Sequence, residues 1–203
     1  MPHGTHSNSL KALLDGNARW AVGQPTHPHL DMTRRKLVAN EGQKPFAAIL
    51  ACADSRVPPE LLFDVGIGDL FVVRVAGNSL DKLGQQSLEY ATGHLGVELV
   101  MIMGHQGCGA VKGAVDAYPA SAPEFLSVIY RAIEKSKEVI KERGGNPDDK
   151  VALAKETVDR HVIRMVNELR AKHSFAETIG KGKLAVVGAR YDLDSGRVMM
   201  LIE

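Results

Sequence analysis

Aromatic residues are scarce in this chain of 203, at 5%, with a single Trp, four Tyr and five Phe. Stacking platforms for bases or sugars, which need several exposed rings, are therefore not expected. Charge of one sign is also missing. Lys and Arg number 25 against 24 Asp and Glu, for a net charge of +1, which argues against general binding to a phosphate backbone. No apolar run reaches the roughly 18–20 residues that a membrane span needs. Residues 1–9 are polar and lack the apolar stretch of a signal peptide. A cytoplasmic location is the expectation, with a leader removed ahead of Met1 as the alternative. There are only two cysteines, Cys52 and Cys108. Two exclude a disulfide-dense scaffold and leave a single disulfide, a metal site or catalysis open. Internal repeats, long linkers and low-complexity tracts are absent too.

What remains is ordinary globular composition, 44% hydrophobic and 24% charged. The length suits one domain, 1–203, divided into a helical arm over 1–40 and a core over 41–203. Apolar spacing around Leu10, Leu13, Leu14 and Trp20 predicts a helix over 9–21. Asp31 is placed to cap another, to about Ala39. The short unbroken apolar run over 46–51 reads as a strand buried on both faces, the signature of a parallel sheet, and 70–75 and 97–103 read as a second and a third strand. Helices are predicted to start at Pro58-Pro59-Glu60 and Gly107, and to span 84–95, 121–143 and 151–173. Residues 184–191 and 197–202 read as closing paired strands around a turn at 192–196. The fold class is thus α/β, with a mainly parallel central sheet flanked by helices and an N-terminal helical arm.

Sites in open parallel sheets form beyond the carboxyl ends of the strands. Two segments fall there: Cys52-Ala53-Asp54-Ser55-Arg56 and Gly104-His105-Gln106-Gly107-Cys108-Gly109. If their strands are neighbours, Cys52, His105 and Cys108 converge. Two thiolates and an imidazole suit tetrahedral zinc with one position open, and thiolate softness disfavours magnesium and calcium. Asp54 and Arg56, at i and i+2 of an extended segment, share a face as a fixed ion pair. Beside a metal, such an Asp either hydrogen-bonds a metal-held water or swings in as fourth ligand. Gly66-x-Gly68 precedes a strand, so it is not a dinucleotide fingerprint. His3, His6, His27 and His29 read as surface residues; His94 and His161 read as structural.

Cys52-x-Asp54-x-Arg56 followed by His105-x-x-Cys108 resembles the beta-class carbonic anhydrases, and the likeness extends over 43–115, to Asn17-x-x-Trp20 and to Val187-Gly188-Ala189-x-Tyr191. The resemblance implies one Zn2+ per chain held by Cys52, His105 and Cys108, with Asp54 joining only in a closed form. It implies Asp54 and Arg56 as catalytic dyad and Gln43, Phe71 and Tyr90 as substrate-binding residues of a pocket at a dimer interface. Val57 and Ala76 are further candidate walls. The implied reaction is reversible hydration of carbon dioxide to bicarbonate and a proton, through attack by zinc-bound hydroxide. Implied partners are carbon dioxide and bicarbonate and further copies of the chain, as homodimer or tetramer; no nucleic acid or membrane is expected. Some members of the family carry a second, inhibitory bicarbonate site. Arg74 and Tyr191 match it, but Ile49 stands where its Trp would be. Three other readings stand beside this one: a closed structural zinc protein, a hydrolase of carbonyl sulfide or carbon disulfide, and a thiol redox module, whose usual Cys-x-x-Cys is missing.

Overall fold

The computed structural model describes residues 5–203. His3 and the first residues of the arm, 1–4, lie outside them. In chain order the elements are α1 (Thr5–Ala21), α2 (Met32–Glu41), β1 (Ala47–Cys52), α3 (Pro59–Leu62), β2 (Leu70–Val75), α4 (Lys82–Gly93), β3 (Leu99–His105), α5 (Gly109–Ala117), α6 (Glu124–Ser127), α7 (Tyr130–Glu142), α8 (Lys150–Arg170), α9 (His173–Gly180), β4 (Ala185–Tyr191) and β5 (Val198–Ile202). A 3-10 turn, Ala76–Asn78, follows β2.

Every residue of β1 and β3 is buried, as continuous apolar strands in the middle of a parallel sheet must be. The strand order is β2-β1-β3-β4-β5, parallel except for the antiparallel β4–β5 pair. Alternate residues feed two cores. Ile49, Ala51, Met101 and Met103 face one, with Leu13 and Val111. Leu50, Val100 and Ile102 face the other, with Leu88 of α4, Val162 and Val166 of α8, and Phe175 of α9. The chain leaves β1 for β2 on one side and reaches β3 on the other. The crevice between the carboxyl ends of β1 and β3 is therefore the topological switch point, where such sheets hold ligands.

The arm is tied down by polar contacts. Asn17 Nδ2 donates to the carbonyls of Leu62 and Gly196, and its Oδ1 accepts from the Val198 N–H. Asp64, buried, accepts from Arg19 Nε, the Thr26 hydroxyl and the N–H groups of Thr26 and His27. A Cβ at Gly16 would sit 1.8 Å from the Phe63 carbonyl oxygen, so only glycine lets α1 approach this closely. By contrast α2 buries no residue of its own.

Some boundaries differ from those expected. The helix over 121–143 is two, α6 and α7, because Arg164 of α8 takes the Val128 carbonyl at their junction. The helix over 151–173 ends at Arg170, and a separate α9 follows, seating Phe175 in the core. Helix α4 spans 82–93 rather than 84–95, since Asp81 caps it by accepting from the Gly84 N–H. Helix α5 starts at Gly109 rather than Gly107, whose φ of 65° is left-handed. Both central strands run further than expected, so Cys52 and His105 are their last residues. His161 is buried in α8 with Nε2 on the Ser79 hydroxyl at 3.2 Å, a structural placement.

Candidate metal centre and active site

Ala51 of β1 pairs with Met103 of β3, so the two strands end side by side. That puts Cys52 beside His105, and the tight turn at Gly107 returns Cys108 to the same point. The three ligating atoms lie within 4.8 Å of one another and all three residues are buried. The sulfurs are 3.9 Å apart and both thiols are free. A disulfide would need about 2.05 Å. Two thiolates on one tetrahedral zinc, at about 2.3 Å each, stand roughly 3.8 Å apart. The imidazole supplies a second test of fit. Its Nδ1 lies 2.9 Å from the Gln106 carbonyl oxygen, which can only accept, so Nδ1 carries the proton. Nε2 is the nitrogen left to face the site, buried, with no hydrogen-bond partner among the described residues. A buried, partnerless imidazole nitrogen aimed at two thiols is what a metal ligand requires. The donor set fits zinc.

The two thiols lie within hydrogen-bond range of each other. Cys52 is pulled down by the hydrogen bond from Cys108, against burial, and by the Gly77 N–H 3.3 Å from its sulfur. The bond to Cys52, together with burial, pushes Cys108 up. Cys52 is thus the more readily ionised of the two, and a bound cation would displace the remaining thiol proton.

Asp54 and Arg56 do not share the face of an extended segment. They lie in a turn closed by the Val57 N–H on the Asp54 carbonyl. Arg56 N–H and Nε both donate to Asp54 Oδ1 at 2.9 Å, and Nη2 donates to Oδ2 at 2.7 Å. This fork holds the Asp54 carboxyl well below the usual carboxylate range. Oδ2 comes within 3.8 Å of His105 Nε2. Arg56 Nη2 also reaches the Gly107 carbonyl at 3.3 Å, joining the two strand-end loops.

Sequence reasoning missed how the first loop is held. Arg74, on β2 opposite Ala51, donates Nε to the Cys52 carbonyl and Nη2 to the Asp54 carbonyl. Its donors thus serve the backbone of the metal loop. Tyr191 OH accepts from Trp20 Nε1 at 3.1 Å, and Ile49 is a fully buried core residue. Val57 is buried beside the dyad. Gln43, Phe71 and Tyr90 are not gathered around Cys52 within the chain. Gln43 is exposed and precedes the amino end of β1. Phe71 pairs with Ala48, four residues before the end of β2, and its ring stands 6.1 Å from that of Tyr90, which is 47% exposed. No helix among the described residues is long and apolar enough to cross a membrane.

Two cysteines and a histidine at the switch point of a doubly wound sheet, with a forked carboxylate–guanidinium pair alongside, make an α/β protein with a candidate metal centre. Comparison with known proteins narrows this. The family model described as carbonic anhydrase matches residues 47–198. Carbonic anhydrase 2 of Mycobacterium tuberculosis is 39% identical over 98% of this chain and 95% of its own length. A carbonic anhydrase of Mycolicibacterium smegmatis is 37% identical over 98% and 94%. Among solved structures, the Coccomyxa beta-carbonic anhydrase in complex with acetazolamide superposes with a TM-score of 0.73 at 30% identity, covering 96% of this chain and 86% of that one. One described as a tetrameric beta-carbonic anhydrase of Sordaria macrospora gives 0.70 at 25% identity, covering 96% and 97%. The chain belongs to the carbonic anhydrase family, on the beta-carbonic anhydrase fold.

Proposed function

We propose that this chain catalyses the reversible hydration of carbon dioxide to bicarbonate and a proton, with zinc held by Cys52, His105 and Cys108. The observation that carries the reading is His105 Nε2: buried, without a hydrogen-bond partner among the described residues, and facing two thiols beside the Asp54 carboxylate. Zinc bound there would supply Lewis acidity, making a water acidic near neutral pH.

The chain's own residues do the rest. Asp54 Oδ2, staying ionised, accepts a hydrogen bond from the attacking water and so orients its lone pair toward the carbon. Arg56 keeps Asp54 ionised and pointed into the site by occupying both of its oxygens. That fork favours the open arrangement over one in which Asp54 is a permanent fourth ligand, since ligation would break it. Val57, buried beside the dyad, and the methyl of Ala76 offer the small apolar wall that carbon dioxide needs.

Gln43, Phe71 and Tyr90, held away from Cys52 within one chain, line the pocket from a second copy in this reading. Leu30 and Met32, 51% and 62% exposed, and an α2 with no buried residue support an arm that grips a partner. The assembly is thus a homodimer or tetramer, and the location is cytoplasmic. Carbon dioxide hydration by stopped flow on zinc-loaded protein, from about pH 6.5 to 9, tests the function. Turnover that rises with pH is expected. A zinc-loaded protein inert throughout would overturn the reading in favour of a closed structural site.

A further inference from the structure

Between His105 and Cys108 stand Gln106 and Gly107, and only Gln106 has a side chain to use. Its backbone carbonyl accepts the His105 Nδ1 proton at 2.9 Å. Its N–H donates to the Tyr191 carbonyl at 2.9 Å, one residue past the end of β3. Its side-chain amide reaches across to the β4–β5 turn. Nε2 donates to Asp194 Oδ2 at 2.9 Å, and Oε1 accepts from the Leu193 N–H at 3.1 Å. A carboxylate can only accept and a backbone N–H can only donate, so the amide has one orientation.

The turn that receives it is rigid. The Gly196 N–H donates to the Asp192 carbonyl, the Asp192 N–H to the Arg197 carbonyl, and the Ser195 N–H and hydroxyl both to Asp192 Oδ1. From the other side Asn17 of α1 holds Gly196 and Val198, and Trp20 holds Tyr191. The turn is thus pinned between the arm and the metal loop.

We propose that Gln106 is a positioning residue for the metal centre. By clasping the 192–196 turn it fixes the peptide whose carbonyl orients the His105 imidazole, so that Nε2 stays aimed where the two sulfurs converge. Without the clasp, only the bond from the Gln106 N–H to Tyr191 holds this end, and the peptide that carries the Gln106 carbonyl, bordering Gly107 at φ 65°, has more room to turn. The Nδ1 proton then goes to water and Nε2 swings off its line. The inference rests on the reading of Cys52, His105 and Cys108 as metal ligands. Loss of a bond that orients a ligating histidine weakens metal binding 10–100-fold in general.

The test is competition for zinc with a coloured chelator, on wild type, Gln106→Ala, Asp194→Ala and Asp194→Asn, with thermal unfolding of each metal-free protein in parallel. Gln106→Ala should weaken zinc binding about tenfold, and Asp194→Ala by a smaller factor. Asp194→Asn, whose carbonyl oxygen still accepts from Nε2, should match wild type. Metal-free unfolding should be unchanged, whereas a merely structural role would lower it and leave zinc binding alone. Wild-type zinc affinity in Gln106→Ala overturns the proposal. Should that variant not fold, equal affinities for Asp194→Ala and Asp194→Asn overturn it instead. A wild type that takes up no zinc overturns the ligand reading itself, and is told apart by needing no variant.

Discussion

Replacing Asp54 by Asn keeps the shape of the side chain and removes its charge, and the surrounding geometry says what that costs. Oδ1 accepts from Arg56 N–H and Nε; Oδ2 accepts from Nη2 and is the oxygen 3.8 Å from His105 Nε2. An asparagine can keep its oxygen at Oδ1 and two of the three bonds. Its NH2 then stands where Oδ2 was, opposing the Nη2 donor and offering the site a donor where an acceptor is needed. Flipped, it restores the acceptor and loses both Oδ1 bonds. Removing one oriented partner of developing charge costs about 3–4 kcal/mol, or 10²–10³ in kcat. Asp54 is not among the three ligands, so zinc content should stay at the wild-type level. Arg56 holds the carboxyl ionised far below neutral pH. The substitution should therefore lower the whole pH–rate profile without moving its midpoint. Stopped-flow hydration with a pH indicator, on protein of measured zinc content, reads both quantities. A variant holding full zinc and turning over within a factor of about three of wild type, well short of that loss, would refute the role given to Asp54.

Cys108→Ser should lose zinc and turnover together, because a hydroxyl does not replace a buried thiolate on this ion; elemental analysis and the hydration assay on one sample check it. Gly104→Ala should destabilise the fold, since the new Cβ would lie 2.6 Å from Val162 Cγ2 and 3.2 Å from Val158 Cγ1. About 2 kcal/mol of overpacking would lower Tm by roughly 4–8 °C in a chain of this size, seen by thermal unfolding. His161 bears on acid stability: burial pushes its pKa down from 6.5 to about 4. The unfolded chain binds the proton first, so stability is full above about pH 6.5 and drains as pH falls toward 4, by up to about 3 kcal/mol. Denaturant midpoints measured across that window should fall in wild type and flatten in His161→Gln.

The convergence of Cys52, His105 and Cys108 was legible because the clues are local. Short apolar runs mark strands, and a Cys or a His-x-x-Cys directly after such a run must stand at a strand's carboxyl end. The charge pair was legible too, though its geometry was not: Asp54 and Arg56 meet by a turn. The hold of Arg74 on the first loop was not legible because it depends on β2 pairing with β1, which brings its guanidinium to the Cys52 and Asp54 carbonyls. Gln106 was passed over because its partners are 87 and 88 residues away. The split of 121–143 came from Arg164 on another helix, a tertiary contact overriding local propensity. Helix α9 carried a signal in Phe175 and Ile179, one turn apart, both packed on the core. Gln43, Phe71 and Tyr90 came from resemblance alone, and one chain does not bring them to its own Cys52.

The most direct test of the account is to return zinc to metal-free protein in small steps while following carbon dioxide hydration. Activity should be absent at the start, climb in proportion to the ion added, and stop at one zinc per chain. Hydration by the metal-free chain, or a fully loaded chain without hydration, would contradict it.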